Sequence, residues 1–280
     1  MNPGAISLYA EHGIDIVTEP LEIAVCAQHN NGGLAGNHWW ESVNIKHLFP
    51  VGEVNGSHGV YRPGGSALNS GQVGSFRAAE FIANRYTAWT LDVAQAQAVA
   101  AQELAGILDW AARSAVAPTA WDAERAEFQA RMSRAGAHIR SKESIQGAVE
   151  EAWAQVRRLE AQGCSYTLTR DLAEALRNRQ LCFAHAVYLS AIRYAIESGV
   201  GSRGSAMVLD REGVDPHPQL GPEWHFAREN PAFRSQVLET VATPSGEVAH
   251  AWVARRPIPE TNVWFETSWA AYRNGEIYGG

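Results

Sequence analysis

Apolar positions follow two rhythms along this chain. Before Gly74 they come in short runs, Glu22 to Ala27 and Leu48 to Val54, each flanked by Pro, Gly or Asn, which predicts strands joined by loops of special backbone geometry. From Ser66 to Tyr86, Leu68, Gln72, Val73, Phe76, Ala79 and Ala83 recur at near-helical spacing behind a glycine-rich stretch, which predicts a loop feeding a helix N-terminus. From Ala88 to about Ser198 the pattern becomes alanine-rich with a 3.6-residue period, interrupted near Pro118, Gly136 and Gly163. Four helices are expected, the last with an apolar stripe of Leu176, Phe183, Val187, Ala191 and Tyr194. Beyond Gly199 the helical signal stops, and Gln236 to Thr243, Pro244-Ser245-Gly246, then Glu247 to Arg255 predicts two strands around a tight turn.

The glycines sharpen one boundary: 12 of the 25 lie between Gly4 and Gly74, and the next is Gly106. The fold class expected is therefore α+β, divided as 1–87 (strands and one helix), 88–205 (a helical bundle) and 206–280 (irregular chain with a β-hairpin). No internal repeat or low-complexity tract stands out.

Composition narrows the function. A 46% hydrophobic and 19% charged chain has the balance of a soluble globular protein and excludes compositional disorder. The longest uncharged stretch, Ile23 to Trp40, contains Gln28, His29, Asn30, Asn31, Asn37 and His38, so no transmembrane segment is expected. Residues Met1 to Ala10 do not read as a signal peptide. A net charge of -7 argues against a general electrostatic grip on nucleic acid or an anionic membrane. Cys26, Cys164 and Cys182 are odd in number and far apart, which fits reduced thiols in a cytoplasm, the expected location, rather than a disulfide framework.

Chemistry concentrates in three adjacent segments: Gln28-His29-Asn30-Asn31-Gly32-Gly33, Leu48-Phe49-Pro50-Val51-Gly52-Glu53 and Tyr61-Arg62-Pro63-Gly64-Gly65-Ser66-Ala67-Leu68. The glycine pair lets the backbone approach a ligand closely, and the first amides of the following helix stabilise negative charge. Arg62 can hold a carboxylate with two parallel hydrogen bonds, and His29 can donate one more. The plainer alternative is that the glycines only shape turns, Glu53 caps a local element, and His29 and Arg62 are solvated.

These segments, in this order and spacing, resemble the C-terminal flavin-binding segment of the fumarate reductase and succinate dehydrogenase flavoprotein family. The resemblance is close from Glu22 to about Tyr86 and looser through the helices, at Met132 to Arg140 and Arg193 to Ser205. It implies that His29 and Arg62, the catalytic positions, bind a dicarboxylate near the flavin. It implies further that Gly32, Gly33, Gly52, Glu53, Gly64, Gly65, Ser66, Ala67 and Leu68 form the FAD-binding side, with residues 1–87 a partial, Rossmann-like FAD-binding segment. The family carries an N-terminal dinucleotide-binding unit and a capping domain. Neither precedes Met1, so the chain is expected to correspond to the C-terminal part of such a flavoprotein.

The reading that follows is an FAD-dependent oxidoreductase moving a hydride between flavin N5 and a small, possibly dicarboxylic, acid. Expected partners are an N-terminal FAD-binding segment or chain and an electron-transfer partner such as an iron-sulfur protein. A non-catalytic assembly or binding module is the alternative. Other signals are weaker. Gly199-Val200-Gly201-Ser202-Arg203-Gly204 satisfies GxGxxG but follows a predicted helix instead of a strand, so it reads as a helix-terminating loop. His29, His38, His47 and His58 show no metal-ligand spacing, and no metal is expected. No GxSxG elbow occurs. Trp39-Trp40 reads most simply as packing or a loop anchor, and less simply as an aromatic lid; Cys26 reads as core.

Overall fold

A computed structural model describes residues 2–21, 32–59, 65–88, 90–204, 206–243, 245–257, 260 and 262–278. The chain partitions into two units, residues 1–30 and 31–280. The first carries one helix, α1 (Pro3–Glu11), whose start is fixed by the Asn2 side chain accepting from the Gly4 amide at 3.0 Å and by Pro3 in the first turn. The predicted strand from Glu22 to Ala27 lies outside the described residues.

The second unit contains α2 (Ser66–Arg85), α3 (Val93–Ser114), α4 (Trp121–Arg131), α5 (Lys142–Gln162) and α6 (Leu172–Glu197). The last four are the four helices that the 3.6-residue rhythm predicts. Their ends follow from sequence: Asp92 caps α3 by accepting from the Gln95 amide at 3.0 Å, and Ser141 and Ser144 close a reciprocal capping box on α5. Gly163 and Gly199 stop α5 and α6. A π-turn, Met132–Gly136, follows α4.

The core lies where α4, α5 and α6 meet. Ile145, Leu159 and Leu189 are fully buried, and Phe128, Val149, Val156 and Trp153 pack around them. Each such side chain contributes about 1.5–3 kcal/mol by leaving water. The buried line on α6 is Ala175, Asn178, Cys182, Ala186 and Leu189, with the predicted stripe of Leu176, Phe183 and Val187 packed beside it only half-buried. Small residues at the centre of that face let α5 and α6 approach closely. Trp110 ties the end of α3 to the bundle by donating to the Leu159 carbonyl at 2.8 Å, whereas most of α3 before it is exposed.

The bundle interior is not uniformly apolar. Gln155 sits fully buried on α5, accepting from Arg131 Nη1 at 2.8 Å and donating to the Glu124 carboxylate at 2.7 Å. Arg131 also pairs with Glu127 and Glu151, and Arg158 closes on Glu124 from the outer side at 2.7 Å. This network pins the relative register of α4 and α5, because each buried charge needs its partner in place.

Two small sheets follow among the described residues. β1 (Ile139–Arg140) pairs in parallel with β2 (Met207–Val214), Ile139 opposite Met207; the sequence pattern did not foretell this pair. β3 (Gln236–Ala242) and β4 (Val248–Ala254) form the predicted antiparallel hairpin, Leu238 opposite Trp252. It is seated on α6 through His250 and Trp252, which stack on Tyr194. A further helix, α7 (Trp264–Arg273), and a 3-10 turn, Glu276–Tyr278, occupy sequence read as irregular.

One predicted element is corrected. Leu48 to Val54 is not a strand: Pro50 has no amide hydrogen to pair, and Gly52 turns the chain at φ +72°, starting the 3-10 turn Gly52–Val54. What survives is one parallel bridge between Leu34 and Asn55. The GxGxxG sequence is the loop that ends α6, as its position after a helix implies.

Candidate ligand-binding groove

The groove is founded on a close backbone contact. Leu34 donates to the Val54 carbonyl at 2.8 Å and Gly56 donates to the Leu34 carbonyl at 2.9 Å, which presses Gly33 onto the 52–54 turn. A Cβ on Gly33 would fall 2.2 Å from the Val54 carbonyl oxygen, so no side chain fits there. Asn55, buried, holds the other end of the turn by donating to the Pro50 carbonyl at 3.0 Å and accepting from the Ser57 amide at 2.9 Å.

Helix α2 then starts from Gly65, a left-handed residue at φ +79° that provides no side-chain cap, and its first turn contains no acidic residue. The N-terminal turn is therefore left with its partial positive charge unneutralised by the helix's own side chains. Val51, Gly52 and Glu53 from the turn, with Ala67, Leu68 and Gln72 from α2, line an open groove of about 1130 Å³. Leu68 and Phe76, exposed at 71% and 76%, give its α2 wall an apolar surface.

The far wall is aromatic and charged. Trp39 is buried between Phe81, at 5.3 Å between ring centroids, and Tyr278, at 5.4 Å. The Arg77 guanidinium lies 4.6 Å from the Trp39 ring and donates from Nε to the His38 carbonyl at 3.0 Å. Burial, followed by the positive charges of Arg77 and Arg256, holds the His38 imidazole below its usual range. Tyr278 donates to Glu80 at 3.0 Å; burial and that carboxylate push its phenol up to about 12, so it is protonated at any physiological pH. On the opposite side of Phe81, Tyr86 donates to Glu41 and is likewise raised to about 12.

Of the positions predicted from sequence, Gly52, Glu53, Ala67 and Leu68 meet at this groove, Gly65 and Ser66 open the helix beside it, and Gly33, with half-buried Gly32 preceding it, supports the turn from behind. His29, Arg62 and Gly64 lie outside the described residues. Sequence reasoning missed Arg77, Glu80, Tyr272 and Tyr278. Arg77 and Glu80 had a readable signal, one helical turn apart on the same α2 face as Phe76. Tyr272 and Tyr278 had none nearby, since they return to α2 from about 200 residues away. Trp39 is packing, as the simpler reading held; Trp40, at φ +65°, lies against the α2 backbone.

No protein-family model matches the chain. Its fold superposes on Escherichia coli quinol fumarate reductase FrdA with a TM-score of 0.70 over 93% of this chain and 43% of that one, at 21% identity. The chain is similar to the C-terminal part of a fumarate reductase-type flavoprotein. A second quinol–fumarate reductase structure gives a TM-score of 0.66 at 20% identity. By sequence, one component of the fumarate reductase (CoM/CoB) of Methanothermobacter marburgensis is 44% identical over 71 residues, which are 25% of this chain and 13% of that protein. An uncharacterized FAD-dependent oxidoreductase of Methanocaldococcus jannaschii is 43% identical over 77 residues, 26% and 14% of the two chains. L-aspartate oxidase of Streptomyces coelicolor is 35% identical over 91 residues, 32% and 16%. The chain thus spans under half the length of the flavoprotein chains it matches. Among the described residues, no helix is long and apolar enough to cross a membrane.

Proposed function

We propose that this chain forms the C-terminal, flavin-flanking part of an FAD-dependent oxidoreductase of the fumarate reductase type. The observation that carries the reading is the convergence of the Gly52–Glu53 turn and the glycine-opened start of α2 on one groove. The residues present suit FAD. An N-terminal helical turn with no acidic side chain, opened by a glycine that has no side chain to cap it, favours the negative charge that gathers on the pyrimidine edge of a reduced flavin. Glycines at 52 and 65 leave open space beside the backbone, so a planar ring system can approach it. When bound, FAD supplies hydride transfer at N5.

The protein's own groups do the rest. Arg62 clamps a carboxylate of the substrate with two parallel hydrogen bonds and His29 donates to it, fixing a small, dicarboxylic acid against the flavin face. Glu53, exposed at the groove edge, accepts from a hydroxyl of the cofactor. Apolar Leu68 and Phe76 exclude water from the same side. In this reading the dinucleotide-binding half comes from an N-terminal FAD-binding segment or chain, and electrons exchange with a partner such as an iron-sulfur protein.

Co-expression with such an N-terminal segment, followed by flavin absorbance and redox titration, tests the proposal. Gly65→Val is expected to lose flavin or to lower its potential by roughly 30 mV or more, equivalent to about 1.4 kcal/mol in a two-electron couple, while Gly106→Val, in open space on α3, leaves both unchanged. Arg62→Lys should keep the flavin and lose most turnover, because Lys lacks the planar fork. Parent potential and flavin content in Gly65→Val would overturn the placement of the flavin.

A further inference from the structure

The aromatic wall of the groove leads outward to a ring beyond it: Trp39, Tyr278 and Tyr272 line the groove, and Trp269 follows them. From Trp39 the rings pass to Tyr278 at 5.4 Å, from Tyr278 to Tyr272 at 6.5 Å, and from Tyr272 to Trp269 at 5.6 Å. Exposure rises along the same path, from 6% at Trp39 and 8% at Tyr278 to 41% at Tyr272 and 52% at Trp269. All four rings are of the oxidisable kind. On its inner face Trp39 stacks on Phe81, a ring that is not readily oxidised.

We propose that Trp39, Tyr278, Tyr272 and Trp269 are a hole-transfer chain, carrying a one-electron oxidising equivalent from the groove to the protein surface. Two charged contacts set its direction. The Arg77 guanidinium over Trp39 disfavours a positive charge on that indole, whereas Glu80 stands ready to take the Tyr278 proton. Oxidation is thereby harder to hold at the buried end than one step outward.

The steps balance. A strong one-electron oxidant arising at the groove, such as an oxygen-centred radical, takes an electron from Trp39 and is itself reduced. Tyr278 returns an electron to Trp39 and passes its phenolic proton to Glu80. Tyr272 then reduces the Tyr278 radical, which recovers its proton from Glu80, while the Tyr272 proton leaves to water. Trp269 reduces Tyr272, which regains a proton from water, and a thiol or another external one-electron reductant quenches Trp269 at the surface. The net result is reduction of the oxidant at the expense of that reductant, with no damage left in the groove. Within the protein the chain uses only these four rings and the Glu80 carboxylate, and it stands whether or not flavin is the cofactor.

The full chain can be tested with a photo-oxidant fixed in the groove. In a Cys26→Ser, Val51→Cys variant, residue 51 lines the groove and accepts a ruthenium tris(bipyridine) label, while Cys164 and Cys182 are buried. Flash excitation with an added one-electron acceptor such as a ruthenium(III) hexaammine salt, which leaves the label as ruthenium(III), followed by spin trapping and peptide mass spectrometry, should place adducts mainly at Trp269 and Tyr272. Tyr272→Phe, a change at an exposed ring, should lower the Trp269 adduct severalfold and raise oxidation of Trp39. Glu80→Gln should slow tyrosyl radical formation and abolish its solvent isotope effect, an outcome that ring packing alone would not produce. Circular dichroism confirms that each variant is folded. Equal Trp269 adducts in the labelled parent, Tyr272→Phe and Tyr278→Phe would overturn the proposal, since the hole would then be travelling through solvent.

Discussion

The Trp40 indole rests on the α2 backbone at Gly74, so closely that a Cβ at residue 74 would fall 2.1 Å from Trp40 Cε2. Trp40 is at φ +65°, a conformation that tryptophan adopts only when its surroundings hold it there. The contact therefore anchors the loop before the groove to the groove's main helix.

Gly74→Ala follows as the first test. Helix propensity alone favours alanine by about 1 kcal/mol, but the clash is with a rigid indole, and overpacking of this kind costs about 1–3 kcal/mol. A net loss of stability, read as a lower urea midpoint at unchanged slope, is expected. A gain would mean that Trp40 can swing away freely.

His185 predicts a pH dependence. It is buried on α6, its Nε2 3.4 Å from Arg131 Nη1, and burial followed by that guanidinium lowers it to about 4. The unfolded chain, with an ordinary histidine near 6.5, binds the proton that the folded one refuses. Stability is thus fully present above about pH 6.5 and falls as pH drops toward 4, by an order of 2–4 kcal/mol. Denaturation between pH 5 and 7 should show a slope that His185→Asn flattens. Below pH 5 the paired carboxylates Glu151, Glu174 and Glu229, all held below their usual range, add their own losses.

Gln155 predicts a strong polar deletion effect. Gln155→Leu fits the volume but strips one acceptor from buried Arg131 and one donor from buried Glu124. Arg131 keeps Glu127 and Glu151 and Glu124 keeps Arg158, so the cost is that of the lost charged hydrogen bonds, about 1–3 kcal/mol. Thermal unfolding should report a loss of that size, whereas Gln155→Glu should change stability less at the Arg131 end and more at the Glu124 end. A fully stable leucine variant would show that the network is dispensable.

How much of this could be read beforehand depends on how local each cause is. The four helices were legible because their 3.6-residue rhythm is broken locally, near Pro118, Gly136 and Gly163. The turn at Gly52 was misread as strand because hydrophobic Leu48, Phe49 and Val51 fit a strand until Pro50 and Gly52 are weighed. Gly52, Glu53, Ala67 and Leu68, singled out by motif as cofactor-binding positions, fall together on the groove because the turn and the helix start that carry them are local in sequence. Tyr278 and Arg256 could not be foreseen, because the hydrogen bonds that place them, to Glu80 and to the Gly36 carbonyl, span 198 and 220 positions. Helix α7 was readable, since Phe265, Trp269 and Tyr272 recur at helical spacing.

The cysteines give a chemical test. Burial pushes the Cys164 thiol up to about 11 and the Cys182 thiol up to about 12, so neither forms a thiolate at neutral pH. Alkylation at pH 8 followed by peptide mapping should leave both unmodified until urea is added. Labelling of either in the native protein would reveal local opening of α6 or of the segment before it.

The long reach from Tyr278 back to Glu80 also sets an order of events. The groove's aromatic wall is a contact of very high sequence separation, so it closes only after the intervening bundle has collapsed, on the slow side of folding. A small molecule that recognises the finished wall meets no partial version of it in the unfolded chain. Its binding free energy then adds directly to the stability of the native state, and the supply of that molecule sets how much folded protein persists at a given temperature.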